Sequence, residues 1–202
     1  MSSDEDPADK STAEFWSEHY ATRDTPWLID RIPNALSAFI GRAKTPAAHV
    51  LIPGCGTDHL TISAFAEAGF QVTAMDFSAT AIEQAKEAVR NSNVKLILGD
   101  FFRHDFGPEK FDIVYERTFL CALPPATWQE YAERVAQLLH SGGLLAGIFF
   151  FGSEPDPPPY PITPEETQSL FGKQFRQTRD EPVTDSIEMF AGMERWQEWL
   201  RR

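Results

Sequence analysis

The segment His49-Val-Leu-Ile-Pro-Gly-Cys-Gly-Thr-Asp-His59 decides how the rest of the chain is read. A short run of branched apolar residues ends in Pro53-Gly54-Cys55-Gly56, and an apolar-periodic stretch from Leu60 to Gly69 follows at once. That is the pattern of a buried strand, a tight glycine turn and a helix. Gly54 and Gly56 carry no Cβ, so a ligand can lie against the backbone while the helix N-terminus faces it. Open α/β sheets hold nucleotide-like ligands in this way, at the carboxyl ends of their strands.

The same alternation continues outward. Strands are expected at about 49–53, 71–75, 94–98, 111–115 and 144–151, separated by helices at about 58–68, 79–90 and 125–140, the last ending at Ser141-Gly142-Gly143. Strands alternating with helices predict a doubly wound α/β sheet in a single domain. Thr163-Pro164-Glu165-Glu166 opens a helix to about Phe171, and two closing strands are expected at 174–182 and 186–192. Upstream, Ser11-Thr12-Ala13-Glu14 has the form of a capping box for a helix through Tyr20, and a second helix runs from about Asn34 to Arg42. The organisation that follows is an acidic, disordered tail at 1–11, a helical N-terminal lid at 12–45 and the main domain at 46–202.

With 202 residues the chain can bury one sizeable core. Its net charge of −12 repels phosphate backbones, which argues against nucleic acid and mildly favours a cationic ligand. No apolar run reaches the ~18 residues of a membrane span, and the first residues are too polar for a secretory signal. The two cysteines, Cys55 and Cys121, form no disulfide framework and suit the cytoplasm; the five histidines show no metal-ligand spacing, so no metal is expected. A small-molecule partner and a monomer are the expectation.

The ligand class is narrowed by three positions. A dinucleotide fingerprint needs a third glycine, but His59 stands three residues after Gly56. Asp76 closes the second strand 20 residues after Gly56, where a carboxylate either holds two ribose hydroxyls or caps the next helix. Gly99-Asp100-Phe101-Phe102 follows the third strand, an acid beside aromatics suited to an adenine ring or simply a loop. Together these resemble the class I S-adenosylmethionine-dependent methyltransferases over about residues 48–193. That resemblance implies a Rossmann-like, seven-stranded, mostly parallel sheet with an antiparallel last strand. A nicotinamide-dependent oxidoreductase, or a methyltransferase fold without turnover, are the alternatives.

Trp16, Thr25-Pro26-Trp27, Ile52-Pro53-Gly54-Cys55-Gly56, Asp100-Phe101-Phe102, Glu116 to Leu123 and Pro158-Pro159-Tyr160 follow one order. That order resembles the thiopurine S-methyltransferase family with its plant halide and thiol methyltransferase relatives, from about residue 13 to 202. The resemblance implies methyl transfer from S-adenosylmethionine to a small thiol, selenium or tellurium species, or halide. It assigns the cofactor to Trp16 and Trp27 in the lid and to Pro53, Gly54, Cys55 and Gly56 in the turn. Asp76 and Phe77, Asp100, Phe101 and Phe102, and Glu116 complete that set, while Arg117 and Tyr160 serve the acceptor. From the residues alone, Trp16 and Trp27 equally suit core packing, Arg117 an ion pair, and Tyr160 a loop anchor. Asp76→Ala is expected to weaken cofactor binding by about tenfold or more while leaving the fold intact.

Overall fold

A computed structural model describes residues 10–43, 47–90 and 93–202. The expected acidic tail and the boundary between lid and main domain fall largely outside them. In chain order the elements are α1 (Ala13–Thr22), α2 (Asn34–Arg42), β1 (His49–Pro53), α3 (His59–Glu67), β2 (Gln71–Asp76), α4 (Ala79–Ala88) and β3 (Val94–Leu98). Then come β4 (Phe111–Arg117), α5 (Trp128–Leu138), β5 (Leu139–Phe150), α6 (Pro164–Phe171), β6 (Phe175–Pro182) and β7 (Glu194–Arg201). The strands form one seven-stranded sheet of order β3-β2-β1-β4-β5-β7-β6. β7 is antiparallel to both neighbours and the other pairs are parallel, so the sequence-based fold class holds.

The sheet is covered on both faces, which is why its central strands read as continuous apolar runs. One face buries Leu36 and Phe39 of α2, Phe65 of α3 and Ile82 of α4 against Val50, Ile113 and Trp196. The other buries Tyr131 and Val135 of α5 and Phe171 of α6 against Leu51, Val114 and Trp199. α2 therefore belongs to the core. The segment lying over the strand ends is α1 with the turn to Leu28, narrower than the expected lid over 12–45.

Three boundaries differ from the sequence reading. The cap of α1 is Thr12, whose Oγ1 accepts from the Phe15 amide, not Ser11. α5 stops at Leu138, and Ser141-Gly142-Gly143 lies inside β5, where the register against β4 shifts between Phe111 and Ile113; the glycines make a bulge rather than a helix end. The last strand is Glu194–Arg201, not 186–192, which instead carries a short 3-10 turn and Gly192 at φ 74. The strand was hidden because three of its buried positions, Glu194, Gln197 and Glu198, are polar. Gln197 accepts from the Trp199 indole, and Glu198 from the Trp196 indole and from Arg42.

Candidate active site

The β1–α3 turn is shaped by two left-handed glycines, Gly54 (φ 58) and Gly56 (φ 51). The intervening Cys55 amide donates to the Met75 carbonyl at 2.9 Å, fastening the turn to β2. A Cβ on Gly54 would drive into the Phe119 ring, and one on Gly56 would meet the Tyr20 hydroxyl at 2.6 Å. Glycine is needed at both positions for conformation and for space.

Asp76 ends β2 facing this turn. Its Oδ2 accepts from the Gly56 amide and its Oδ1 from the Ser78 amide, each at 2.8 Å. Burial pushes its carboxyl up to about 6, against backbone hydrogen bonds that favour the charged form. Capping of α4 falls instead to Ser78, whose Oγ accepts from Ala81. Asp100 follows β3 and is more open; its Oδ1 accepts from the Phe102 amide at 2.8 Å. Phe101 is buried beneath it against Phe119, while Phe77 is among the few exposed large apolar side chains.

These groups line one cavity of about 660 Å³ at the carboxyl ends of the strands, within the size range of small-molecule sites. α1 and the following turn roof it: Trp16 and Trp27 meet edge to face at 5.3 Å, and Ser17 Oγ lies 2.8 Å from Ser78 Oγ. Lys10 crosses to the proline-rich loop, 2.7 Å from Asp156. Arg117, at the end of β4, donates from Nη1 to the Trp27 carbonyl at 2.9 Å, while its buried Nε has no partner among the described residues. Four acids, Asp58, Asp76, Asp100 and Asp156, face the cavity against Lys10 and Arg117, a balance that suits a cationic ligand.

Three expected site residues lie elsewhere. Pro53 closes β1 by pairing with Met75 and is not on the cavity wall. Glu116 points to the opposite face of β4 from Tyr115 and Arg117, as strand alternation requires. There it accepts from the amides of Phe119 and Leu120 and from the Tyr131 hydroxyl, at 3.0, 2.9 and 2.7 Å. Burial pushes its carboxyl up to about 7. This corrects its assignment to the cofactor. Glu116→Ala is expected to cost about 3 kcal/mol or more, because it orphans three donors; urea denaturation reads the loss, and a change below about 1 kcal/mol contradicts it. Tyr160 donates its amide to Cys121 at 2.6 Å and packs in the second core, so Pro158 and Pro159 form the wall instead.

Tyr20 was missed by the sequence reading. It is buried over Gly56, with burial and the charge of Asp76 holding its phenol well above the usual range. The signal was available, since Tyr20 lies four residues after Trp16 on the same helical face. Phe119 had no such signal. It is aimed at Gly54 by a turn in which Thr118 takes φ 60.

The sequence profile described as thiopurine S-methyltransferase matches residues 11–200. The chain belongs to the thiopurine S-methyltransferase family. It is therefore an S-adenosylmethionine-dependent methyltransferase. Curated relatives include a probable thiol methyltransferase 2 of Arabidopsis thaliana, 29% identical over 160 residues, spanning 77% of this chain and 70% of that protein. A thiopurine S-methyltransferase of Vibrio campbellii is 29% identical over 180 residues, spanning 78% and 81%. A thiocyanate methyltransferase 1 of Brassica oleracea is 25% identical over 192 residues, spanning 92% and 84%. Among solved structures, a Burkholderia thailandensis 1,6-didemethyltoxoflavin-N1-methyltransferase superposes with a TM-score of 0.74 at 19% identity, covering 94% of this chain and 86% of that one; it supports the fold.

The residues of this family member suit its cofactor. Bare backbone at Gly54 and Gly56 leaves room for an extended ligand, Asp76 sits where ribose hydroxyls would be held, and the acids complement a sulfonium. When bound, S-adenosylmethionine supplies an electrophilic methyl group. Among the described residues no helix is long and apolar enough to cross a membrane, and no His, Cys, Asp and Glu cluster could hold a metal ion.

Proposed function

We propose that this enzyme methylates the sulfur of a small thiol, with selenium species, thiocyanate or halide as related soft acceptors. The observation that carries the reading is Arg117: a permanently charged, buried guanidinium with an unpartnered Nε on the wall of an aromatic crevice. A sulfur nucleophile needs its negative charge stabilised and water excluded, and needs little else once the methyl donor is activated. The names of relatives in Arabidopsis, Vibrio and Brassica, thiol, thiopurine and thiocyanate methyltransferases, support the same acceptor class.

In this reading Phe77, Asp100, Phe101 and Phe102 hold the adenine end and Asp76 the ribose. The Gly54-Cys55-Gly56 turn with Tyr20 takes the amino-acid end, and Trp16 and Trp27 close the roof. Both cysteines are unpaired and burial raises their thiols, which fits structural roles and a reducing compartment such as the cytoplasm. A monomer is part of the proposal. Methyl transfer from labelled cofactor to a panel of aryl thiols, thiopurines, selenide, thiocyanate and iodide tests it. Sulfur-methylated product is expected; transfer confined to nitrogen or oxygen acceptors would refute the acceptor class.

A further inference from the structure

A neutral thiol must lose a proton before its sulfur attacks, and most titratable groups on the cavity wall are unsuited to take it. Asp76 holds the Gly56 and Ser78 amides, Asp58 accepts from the Thr61 amide and hydroxyl, and Asp100 accepts from Phe102. Arg117 stays charged. Burial keeps Tyr20, Tyr115 and both cysteines in their neutral forms.

His19 differs from all of these. It lies near the end of α1 and lines the cavity. Its Nδ1 is 3.2 Å from Asp24 Oδ2 and 3.1 Å from the Asp24 carbonyl. Asp24 is brought there by the helix end: Arg23 turns left-handed at φ 59, and the Asp24 amide donates back to the His19 carbonyl at 3.0 Å. Asp24 is not on the cavity wall, so the bonded edge of the imidazole is turned away and Nε2 is the edge left for the cavity. With Nδ1–H given to Asp24, Nε2 is an acceptor without a partner among the described residues. The ring is braced by Phe15 at 4.7 Å and Trp27 at 5.6 Å. The same Trp27 gives its carbonyl to Arg117, so imidazole and guanidinium flank one tryptophan.

We propose that His19, oriented by Asp24, is the general base that takes the acceptor thiol's proton; this rests on the sulfur-methylation reading above. The S–H bond breaks with its proton passing to Nε2. The sulfur pair forms the new bond to the donor methyl carbon, and the pair of the breaking methyl–sulfonium bond returns to the donor sulfur. The imidazolium is stabilised by Asp24, and with 28% of its side chain exposed it can release the proton to water at the cavity mouth. Asp24 is the charge in contact with it; Arg117 stands beyond Trp27, and Lys10, Asp58, Asp76, Asp100 and Asp156 lie on the remaining walls.

The test uses the full chain and thiophenols of graded acidity, the most acidic already ionised at the assay pH. His19→Asn should lower kcat/KM about 100-fold for the least acidic thiols and far less for the pre-ionised ones. The acid limb of the pH profile for neutral thiols should vanish with it, and Asp24→Asn should reproduce the pattern more weakly. Without turnover, thiolate ultraviolet absorbance should appear when a neutral thiol binds the complex with S-adenosylhomocysteine, and be lost in His19→Asn. Equal loss across the series, or undiminished turnover of neutral thiols, overturns the role of His19. A wild-type enzyme that methylates only anions overturns it too while sparing the crevice assignment; one that methylates no sulfur acceptor fails the functional reading itself.

Discussion

Asp76→Asn should weaken S-adenosylmethionine binding by at least about tenfold, or 1.4 kcal/mol, while the protein still folds. The carboxylate carries two jobs at once. It accepts from the Gly56 and Ser78 amides, holding the glycine turn and the start of α4 in register, and it faces the cavity where ribose hydroxyls would lie. Asparagine keeps the size but loses one acceptor, so one buried N–H is left unsatisfied. That costs stability by about 1–3 kcal/mol, a loss that leaves the fold intact. The alanine variant would orphan both amides.

The pH dependence follows from the same group. Its carboxyl is raised to about 6 by burial. Binding that needs the ionised carboxylate is at full strength above that value and weakens as pH falls through it. Folding responds in the opposite sense. Between about 3.8 and 6 the folded chain holds a proton at Asp76 that the unfolded chain does not, so this group's contribution to stability falls as pH rises across that window. Calorimetric titrations at several pH values, with thermal melts of the unliganded protein, check both signs. Affinity independent of pH near 6 and unaffected by the substitution would refute the ribose role.

Arg117→Ala should lower kcat about 100-fold, the loss expected when a donor preorganised for developing or ionic charge is removed from a dry site. Cofactor affinity should change far less, because the residues proposed for the adenosine end, Asp76 and Asp100 among them, follow β2 and β3 rather than β4. The variant also frees the Trp27 carbonyl from its partner, so part of the loss will come from a looser roof. Arg117→Lys separates the two: it retains charge but cannot reproduce the planar fork that reaches Trp27 and the cavity together. Steady-state kinetics beside calorimetry divides turnover from binding. Wild-type kcat in the alanine variant would remove Arg117 from the acceptor site.

Most of the architecture was legible because the sequence signals and the topology agree. Glycine-bounded apolar runs marked β1 to β5, and a doubly wound sheet brings the ends of β1, β2 and β3 together; Asp76 and Asp100, at the ends of β2 and β3, therefore line one cavity. Glu116 was misread because a motif groups neighbours that a strand separates: Tyr115 and Arg117 face the cavity, and the residue between them faces Tyr131. β7 was displaced because its buried Gln197 and Glu198 disguise a core strand, their partners lying on other elements or two residues along. Tyr160 lost its expected place to adjacent prolines, a difference of loop path that residue spacing does not encode.

Isothermal calorimetry of the unmodified chain with S-adenosylhomocysteine tests the central assignment most directly, that the crevice over the β1–α3 turn is the cofactor site. Saturable binding at one molecule per chain, competed by S-adenosylmethionine and lost on Gly56→Val, is the predicted result. A folded protein that binds neither compound, or binds both unchanged after that substitution, would contradict it.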